Sequence, residues 1–307
     1  ASLSAASLRS RLSLARKRLL ARGATHIALY IWRDEFAAAL DHVAHDFVCY
    51  HIDDEYSFSD KERPNSPREL QLLHRANQVI VHSPALFSKK GGINPNTTLI
   101  PNGVDYRLFS TPHVEPADLA AVPHPRIGYA GVIKRQLDFD LLLRLARARP
   151  QWSLVLVGPV TNVEGKELPL AALRQLPNVH FLGNKPAAEL PGYIQHFDVC
   201  LMCYDVNDYT RYIYPLKLHE YLASGRPTVS SPIDAMRNFS HIVTIANDEA
   251  EWLAAIEHGL NETDRDAAAA ARKAVARAND WDTLVERIAA LFPAAATSPQ
   301  PGLLQHS

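Results

Sequence analysis

The chain has 307 residues, of which 47% are hydrophobic and 21% are charged, and its formal net charge is -1. This length predicts two domains in a globular protein, because one hydrophobic core rarely grows beyond about 250 residues. The near-neutral balance excludes nucleic acid as the expected main partner. No apolar run reaches about 18 residues and no signal peptide is recognised, so no spanning helix is predicted. The three cysteines favour a reducing, cytoplasmic environment over a disulfide framework.

A basic helix is predicted at residues 3–21. Its apolar stripe, Leu8, Leu12, Ala15 and Leu19, lies among several arginines, and no acidic residue precedes Asp34. Two interpretations stay open. The segment is either a domain helix with a solvated basic face, or a helix that contacts an anionic membrane from the cytoplasmic side through residues 3–22.

Alternating strands and helices follow. Strands are predicted at 25–32, 46–52 and 78–83, with a short strand and a turn within 97–109, and helices at 35–44 and 67–77. Ser83 and Pro84 have the pattern of a helix N-cap and first helical residue. This alternation predicts an α/β fold with a parallel sheet, assigned to an N-terminal Rossmann-like domain of residues 1–110.

A second α/β series follows the proline-rich segment 111–125, which is predicted to be the linker. Strands begin near 126, 152, 178, 198, 227 and 241, and helices are predicted at 137–148, 187–197, 248–260 and 262–278. The C-terminal domain is assigned to 126–280, a terminal helix to 281–292 and a disordered tail to 293–307. Ligands of such sheets bind beyond the carboxyl ends of the strands, so the cleft between the domains is the expected site.

Cys200 and Cys203 form a C-x-x-C pattern within a strand-like run. Residues three apart on a strand face opposite ways, and no second Cys or His pair stands nearby to complete a zinc site. The pattern therefore favours two buried thiols over a metal or redox pair.

Lys217 and Glu220 lie in a predicted short helix that follows Pro215 and ends before Gly225. At about 100° per residue the two side chains share one helix face. They form either a surface ion pair or a grip in which the carboxylate holds a sugar diol and the lysine a phosphate. Spacing alone leaves these two interpretations equal.

Glycines and lysines also follow several predicted strands of the second domain. Gly131 and Lys134 follow the first strand, and the loop Gly183–Lys185, with Asn184, follows the third. The pattern is neither G-x-G-x-x-G nor a P-loop, but its recurrence at one edge of one sheet favours an anion-binding site there.

The ordered motifs "IPNGVDYRLF", "RIGYAGVIK", "WSLVLVGP", "LPNVHFLG", "FDVCLMCY" and "YPLKLHEYLASGRPTVSS" resemble those of GT-B glycosyltransferases. The nearest group is the family-4-type bacterial enzymes of exopolysaccharide and cell-surface glycan synthesis. The resemblance implies two Rossmann-like domains, with Glu220 at the donor ribose and Lys217 and Lys134 at the diphosphate. It further implies Gly131 in the loop beside the diphosphate, and Gly183 and Asn184 near the nucleobase.

Two departures from that family are visible. Tyr212, beside Arg211, occupies the position of a second glutamate that contacts the donor sugar, so retention and inversion of configuration both stay open. Arg211 and Tyr212 are kept as candidate donor-binding residues. The first domain is also shorter than the family's, which fits either a fragment or a reduced acceptor domain.

Asp53 and Asp54 are the candidate catalytic bases, in a segment, "YHIDDEYSF", that resembles the "YD-x-x-DD" segment of related enzymes. They follow a strand end, where a base facing the cleft is expected. The competing interpretation is a helix-capping aspartate. His82 and Ser83 are weaker candidates.

The resulting hypothesis is a metal-independent hexosyltransferase without a cofactor, which uses a UDP- or GDP-sugar and a glycan or lipid-linked acceptor. No metal is expected, because Lys134 and Lys217 would neutralise the diphosphate. The alternatives are a catalytically silent nucleotide-sugar-binding scaffold and a UDP-sugar epimerase of the same fold.

Overall fold

The computed structural model describes residues 5–55 and 63–293 and contains two parallel β-sheets, as the α/β prediction requires. The first sheet has the order β1-β2-β3-β4, and each strand pairs in parallel with its neighbour. Its strands are β1 (Ala28–Ile31), β2 (Phe47–Ile52), β3 (Gln78–Val81) and β4 (Thr97–Leu99).

The second sheet has six strands in the order β10-β9-β8-β5-β6-β7, also paired in parallel. Its strands are β5 (Arg126–Ala130), β6 (Ser153–Val157), β7 (Val179–Gly183), β8 (Val199–Met202), β9 (Thr228–Ser230) and β10 (Thr244–Ile245). β5 and β6 are fully buried, which accounts for their largely apolar sequences.

Helices connect the strands and cover both sheets. Those before β5 are α1 (Ala5–Ala21), α2 (Ala39–His42), α3 (Pro67–Arg75), α4 (Pro84–Lys90), α5 (Tyr106–Ser110) and α6 (Ala117–Ala120). The later ones are α7 (Phe139–Ala148), α8 (Glu167–Leu173), α9 (Leu190–Ile194), α10 (Lys217–Ala223), α11 (Asp234–Arg237), α12 (Glu249–Leu260), α13 (Arg265–Arg277) and α14 (Trp281–Ala289).

Side-chain caps fix several of these helix starts. Ser83 Oγ accepts a hydrogen bond from the Leu86 N–H at 3.3 Å, with Pro84 in the first turn of α4, so the predicted cap is present. Asp138 caps α7 in the same way through the Leu141 N–H at 2.8 Å.

Three predicted elements differ from those in the structure. The helix predicted at 35–44 is a 3-10 turn at Asp34–Phe36 followed by the short α2. The predicted helix 187–197, which contains Pro191, is likewise divided into a 3-10 turn and α9. The predicted linker 111–125 contains α6, and its Leu119 and Val122 lie in the core of the second domain. The predicted tail lies almost entirely outside the described residues.

The basic helix α1 is the least covered helix of the first domain. It packs on α2, and Leu8 and Leu12 of the predicted stripe are half-buried. Ala15 and Leu19, at the other end of that stripe, are exposed, as are Leu14 and Leu20. In the described ranges, no helix combines the length and apolarity needed to cross a bilayer.

The two domains are joined by side chains as well as by the chain itself. α14 belongs to the C-terminal part of the sequence, yet its Leu284 packs with Cys49, Ile80 and Ile100 of the first domain. Asn279 and Trp281 form backbone hydrogen bonds with Val104. These bonds place the start of α14, where the chain returns to the first domain, beside the segment that leaves that domain. The Asn102 amide donates to the Tyr214 carbonyl at 2.8 Å.

Candidate functional site

Three glycines stand at the carboxyl ends of the neighbouring strands β5, β6 and β7. Gly131, Gly158 and Gly183 have φ angles of 143°, 141° and 73°, a region that side chains rarely adopt. The Gly131 N–H donates to Val157 O, and the Gly158 N–H donates to Gly183 O, both at 2.8 Å. Gly131 is partly exposed, Gly158 is buried and Gly183 is exposed, and the hydrogen bonds hold the three strand ends together as one surface.

Lys217 crosses this surface. A Cβ atom placed on Gly131 would lie 2.0 Å from Lys217 Cε, so only glycine leaves room for the lysine side chain. The Lys217 ammonium lies 5.3 Å from the centre of the Tyr129 ring, a cation–π contact. The lysine is thus held against the end of β5 at the sheet edge where the sequence predicts anion binding.

Glu220 shares the face of α10 with Lys217, as the spacing predicts, but the two do not form a close ion pair. Neither side chain has a hydrogen bond or an ion pair within 4.0 Å inside the described ranges 5–55 and 63–293. Both are only partly exposed. The surface-bridge interpretation therefore fails, because the two opposite charges are partly buried and do not pair with each other.

Burial acts on both charges. Burial raises the pKa of Glu220, and the charge of Lys217 opposes this rise. Burial lowers the pKa of Lys217, Glu220 opposes that change, and Lys134 adds to it. Each charge is therefore less stable here than in water, and a bound group of opposite charge would stabilise it.

The other residues predicted to bind the donor are spread more widely than Lys217 and Glu220. Lys134 is half-buried near Lys217, and Gly183 and Asn184 are exposed at the end of β7. Arg211 is exposed and lies 3.5 Å from Asp234. Tyr212 is enclosed by side chains of the first domain, so its ring offers almost no surface to a donor.

Asp53 and Asp54 lie just beyond β2, at the carboxyl edge of the first sheet. Asp53 is exposed, and partial burial raises its pKa, with Asp54 adding to the rise and His82 and Arg33 opposing it. Asp54 Oδ1 accepts a hydrogen bond from the Glu55 N–H at 2.8 Å. Neither residue is a helix cap among the helices described, so the capping interpretation finds no support.

His82 is buried beside these aspartates, with its Nδ1 3.1 Å from the Ile52 carbonyl oxygen. Burial lowers its pKa, which favours the neutral ring. In that arrangement Nδ1 carries the proton and Nε2 is left as an acceptor. Ser83, in contrast, is occupied as the cap of α4.

The sequence did not identify two tyrosines beside this site. Burial raises the pKa of the Tyr209 hydroxyl, Asp54 of the first domain adds to the rise, and Arg135 of the second domain opposes it. Tyr214 is in edge contact with His82 at 6.5 Å between ring centres, and its hydroxyl lies 2.8 Å from His219 Nε2. The only signal was the concentration of aromatic residues between 209 and 214.

The three cysteines lie inside the protein, and two of them were considered from the sequence as metal ligands. Cys49, Cys200 and Cys203 are all buried and free, as the buried-thiol interpretation predicts. Burial raises the pKa of each thiol. Across residues 5–55 and 63–293 no group of three or more His, Cys, Asp or Glu side chains is arranged to hold a metal ion.

Comparison with known proteins agrees with this arrangement. Residues 124–262 match the protein family described as Glycosyl transferases group 1. The chain is 27% identical over 230 residues to TuaH of Bacillus subtilis (strain 168), provisionally named a teichuronic acid biosynthesis glycosyltransferase. That match covers 72% of this chain and only 57% of TuaH, so the chain spans a little over half the length of this relative.

Solved structures share the fold at low sequence identity. The Anabaena HepE structure with UDP-glucose has a TM-score of 0.69 and 18% identity, and the match covers 92% of this chain and 80% of HepE. A trehalose-6-phosphate enzyme from E. coli bound to UDP-2-fluoro glucose has a TM-score of 0.67 and 15% identity, and the match covers 93% of this chain and 77% of that enzyme. The chain therefore has the GT-B fold, and residues 124–262 of its second domain are similar to the group 1 glycosyl transferases.

Proposed function

We propose that this chain transfers a sugar from a nucleotide-diphosphate donor to a hydroxyl of a glycan or lipid-linked acceptor in the synthesis of a cell-surface polysaccharide. The observation that supports it best is the pair Lys217 and Glu220, two partly buried opposite charges whose side chains form no hydrogen bond or ion pair within residues 5–55 and 63–293, with Lys217 lying over the Gly131 backbone. A diphosphate beside the lysine and a ribose diol beside the carboxylate would satisfy both charges.

The remaining donor contacts follow from the same edge of the sheet. In this proposal the half-buried Lys134 adds positive charge near the diphosphate, and the exposed loop at Gly183 and Asn184 contacts the base. Arg211 is a candidate for the donor sugar. Both HepE and the E. coli enzyme were solved with UDP-sugars, so UDP is the first nucleotide to test and GDP the second.

Asp53 or Asp54 is proposed as the base. The carboxylate would take the proton of the acceptor hydroxyl as its oxygen forms a bond to the donor's anomeric carbon, while the bond from that carbon to the diphosphate oxygen breaks. The raised pKa of Asp53 brings this base closer to neutral pH and strengthens it. We further propose that the two lysines neutralise the leaving diphosphate, so that a divalent cation is not required.

The setting proposed for this reaction is the cytoplasmic face of a membrane, where lipid-linked acceptors would be found. Surface glycan synthesis is supported by TuaH, whose name places it in teichuronic acid biosynthesis. The basic residues of α1, within the predicted segment 3–22, supply the membrane contact in this proposal. Residues 3 and 4 lie outside the described part of the chain.

Nucleotide binding and sugar transfer can be tested separately. Calorimetry with UDP and GDP should show affinity falling by about 10- to 150-fold in both Lys217→Ala and Glu220→Ala, the effect of losing one charge-assisted hydrogen bond. Lys273→Ala and Glu286→Ala, on helices α13 and α14, are the matched controls. Unchanged affinity in both site variants would remove the donor-site assignment.

Transfer is then followed with a panel of UDP- and GDP-sugars, with and without lipid extract and with and without a chelator. Asp53→Asn or Asp54→Asn should lower turnover by about 10²- to 10⁴-fold while nucleotide affinity stays the same. Nucleotide binding without transfer or hydrolysis would favour a silent binding protein. Conversion of a UDP-sugar without acceptor would favour an epimerase.

A further inference from the structure

The Tyr212 ring is buried in the core of the first domain, although the neighbouring elements in sequence belong to the second domain. It sits between β8 and α10, both elements of the second domain. Its side chain is nevertheless 4% exposed and packs in the first-domain cluster that includes Ile52, Val81 and Leu86. Every other buried member of that cluster precedes residue 90.

Two cations flank the buried ring. Lys89 Nζ lies 5.2 Å from the ring centre, and the Arg211 guanidinium lies 5.9 Å from it. Lys89 belongs to α4 in the first domain, and Arg211 pairs with Asp234 at the start of α11, which packs against α4. The ring is thus held by charged groups from both domains in addition to its apolar contacts.

The contact continues from Lys89 to the candidate catalytic turn. Lys89 Nζ lies 3.2 Å from Glu55 Oε2, and Glu55 Oε1 lies 3.2 Å from Lys90 Nζ, which is itself 2.5 Å from Glu69. Glu55 also donates its N–H to Asp54. A buried ionic network therefore joins the Tyr212 ring to the residue next to Asp54.

The segment on the other side of Tyr212 reaches the same turn. Tyr209 is three residues earlier, and burial raises the pKa of its hydroxyl, with the charge of Asp54 adding to the rise and that of Arg135 opposing it. We name residues 205–214 the strap, since this segment leaves the second sheet, enters the first-domain core at Tyr212 and returns to α10.

We propose that Tyr212 is an inter-domain anchor and a positioning residue, which fixes the cleft and the Asp53–Asp54 turn through the strap and the Lys89–Glu55 contact. The positioning part rests on the proposed function, whereas the anchoring part does not. The resemblance to family-4 enzymes expects a donor-sugar glutamate at this position. A buried aromatic ring cannot fill that role, and a glutamate here would place a carboxylate in the core of the first domain rather than at a donor.

Anchoring is tested by unfolding. Calorimetry of the wild type should show a single transition, and Tyr212→Ala should separate the two domains into two transitions. UDP should raise the temperature of the single wild-type transition. In Tyr212→Ala it should raise only the temperature of the second-domain transition. Val206→Ala, an exposed strap residue at 62%, is the matched control and should behave like the wild type.

Positioning is tested by kinetics. Tyr212→Ala should lower kcat by about 100-fold, the loss typical of a misplaced catalytic group, while the Kd for UDP changes little. Freed from its partly buried position, Asp53 should titrate nearer to its ordinary value, so the acid limb of kcat/KM should move to lower pH. A merely destabilised enzyme would keep the pH profile of the wild type. Tyr212→Phe should retain most of the activity.

The outcomes separate the two proposals. A single transition and wild-type kcat in Tyr212→Ala would overturn the anchor. If that variant does not fold, Tyr212→Leu is measured instead, and an unchanged transition together with an unchanged kcat would overturn the anchor equally. If the wild type shows no transfer, the proposed function fails, and the number of transitions still decides the anchor.

Discussion

The charges of Lys217 and Glu220 carry a free-energy cost in the unliganded protein. A buried carboxylate with a raised pKa binds its proton more tightly in the folded state than in the unfolded chain. Its ionisation therefore lowers stability, and this loss begins as pH rises above the unfolded value of about 4.3. Residues that reduce stability in this way are common at functional sites.

Glu220→Gln should consequently raise Tm at pH 8 in the absence of nucleotide. Glutamine keeps the shape of the side chain and removes the buried charge. The same variant should weaken UDP binding by about 5- to 10-fold, because a charge-assisted hydrogen bond becomes a neutral one. Scanning calorimetry and titration calorimetry on one preparation measure both effects.

The pH dependence provides the internal control. The gain in Tm should shrink as pH falls and vanish near pH 4, where the wild-type carboxyl is also protonated in both states. A lower Tm for Glu220→Gln would instead identify Glu220 as the stabilising half of an ion pair with Lys217.

At the scale of elements, the buried strands were predictable, whereas several of the short helices were not. β5, β6 and β8 have largely apolar sequences between turn residues, a pattern that burial inside a parallel sheet imposes. α5, α6, α8 and α11 have four to seven residues, too few to show a helical period, and they depend on tertiary contacts. In the site, spacing placed Lys217 and Glu220 together, but the fit of Lys217 over Gly131 and the Tyr212 packing are long-range features that no local pattern contains.

The exposed surface of α1 favours electrostatic rather than inserted membrane contact. Leu14, Leu19 and Leu20 point in different directions at about 100° per residue, so they form no continuous apolar face. Arg11 and Arg18, exposed and at spacings of three and four from Leu14, share one side. Each basic residue near an anionic surface contributes about 1 kcal/mol.

The protein should therefore float with anionic vesicles at low salt and lose that binding in about 1 M salt. The double variant Arg11→Glu/Arg18→Glu should bind at least tenfold less. Arg277→Glu/Arg287→Glu makes the same change of charge on α13 and α14 and should bind as the wild type does. Salt-insensitive binding, or none, would exclude the electrostatic contact.

For the whole molecule, the return of α14 makes the first domain dependent on the end of the chain. Leu284 is fully buried against β2 and β3 residues, and Phe292 stacks on Tyr30 and contacts Phe47. Gly103 allows the crossing, because a Cβ there would lie 2.8 Å from Leu284 Cδ1 and 2.9 Å from the Asn279 carbonyl oxygen. One face of the first sheet is therefore closed by residues more than 200 positions later in the sequence than the strand residues that they contact.

Leu284→Ala should lower the free energy of unfolding by about 2–5 kcal/mol, the range for emptying a buried leucine site. Because the cavity opens against the first sheet, the loss should fall on the first domain, while calorimetric affinity for UDP at the second domain stays within twofold. When Leu284→Ala is combined with Tyr212→Ala, it should lower only the temperature of the first-domain transition. Val285→Ala, the 57% exposed neighbour, is the control and should change stability by less than about 0.5 kcal/mol. Equal effects of the two alanines would show that α14 does not close the first domain.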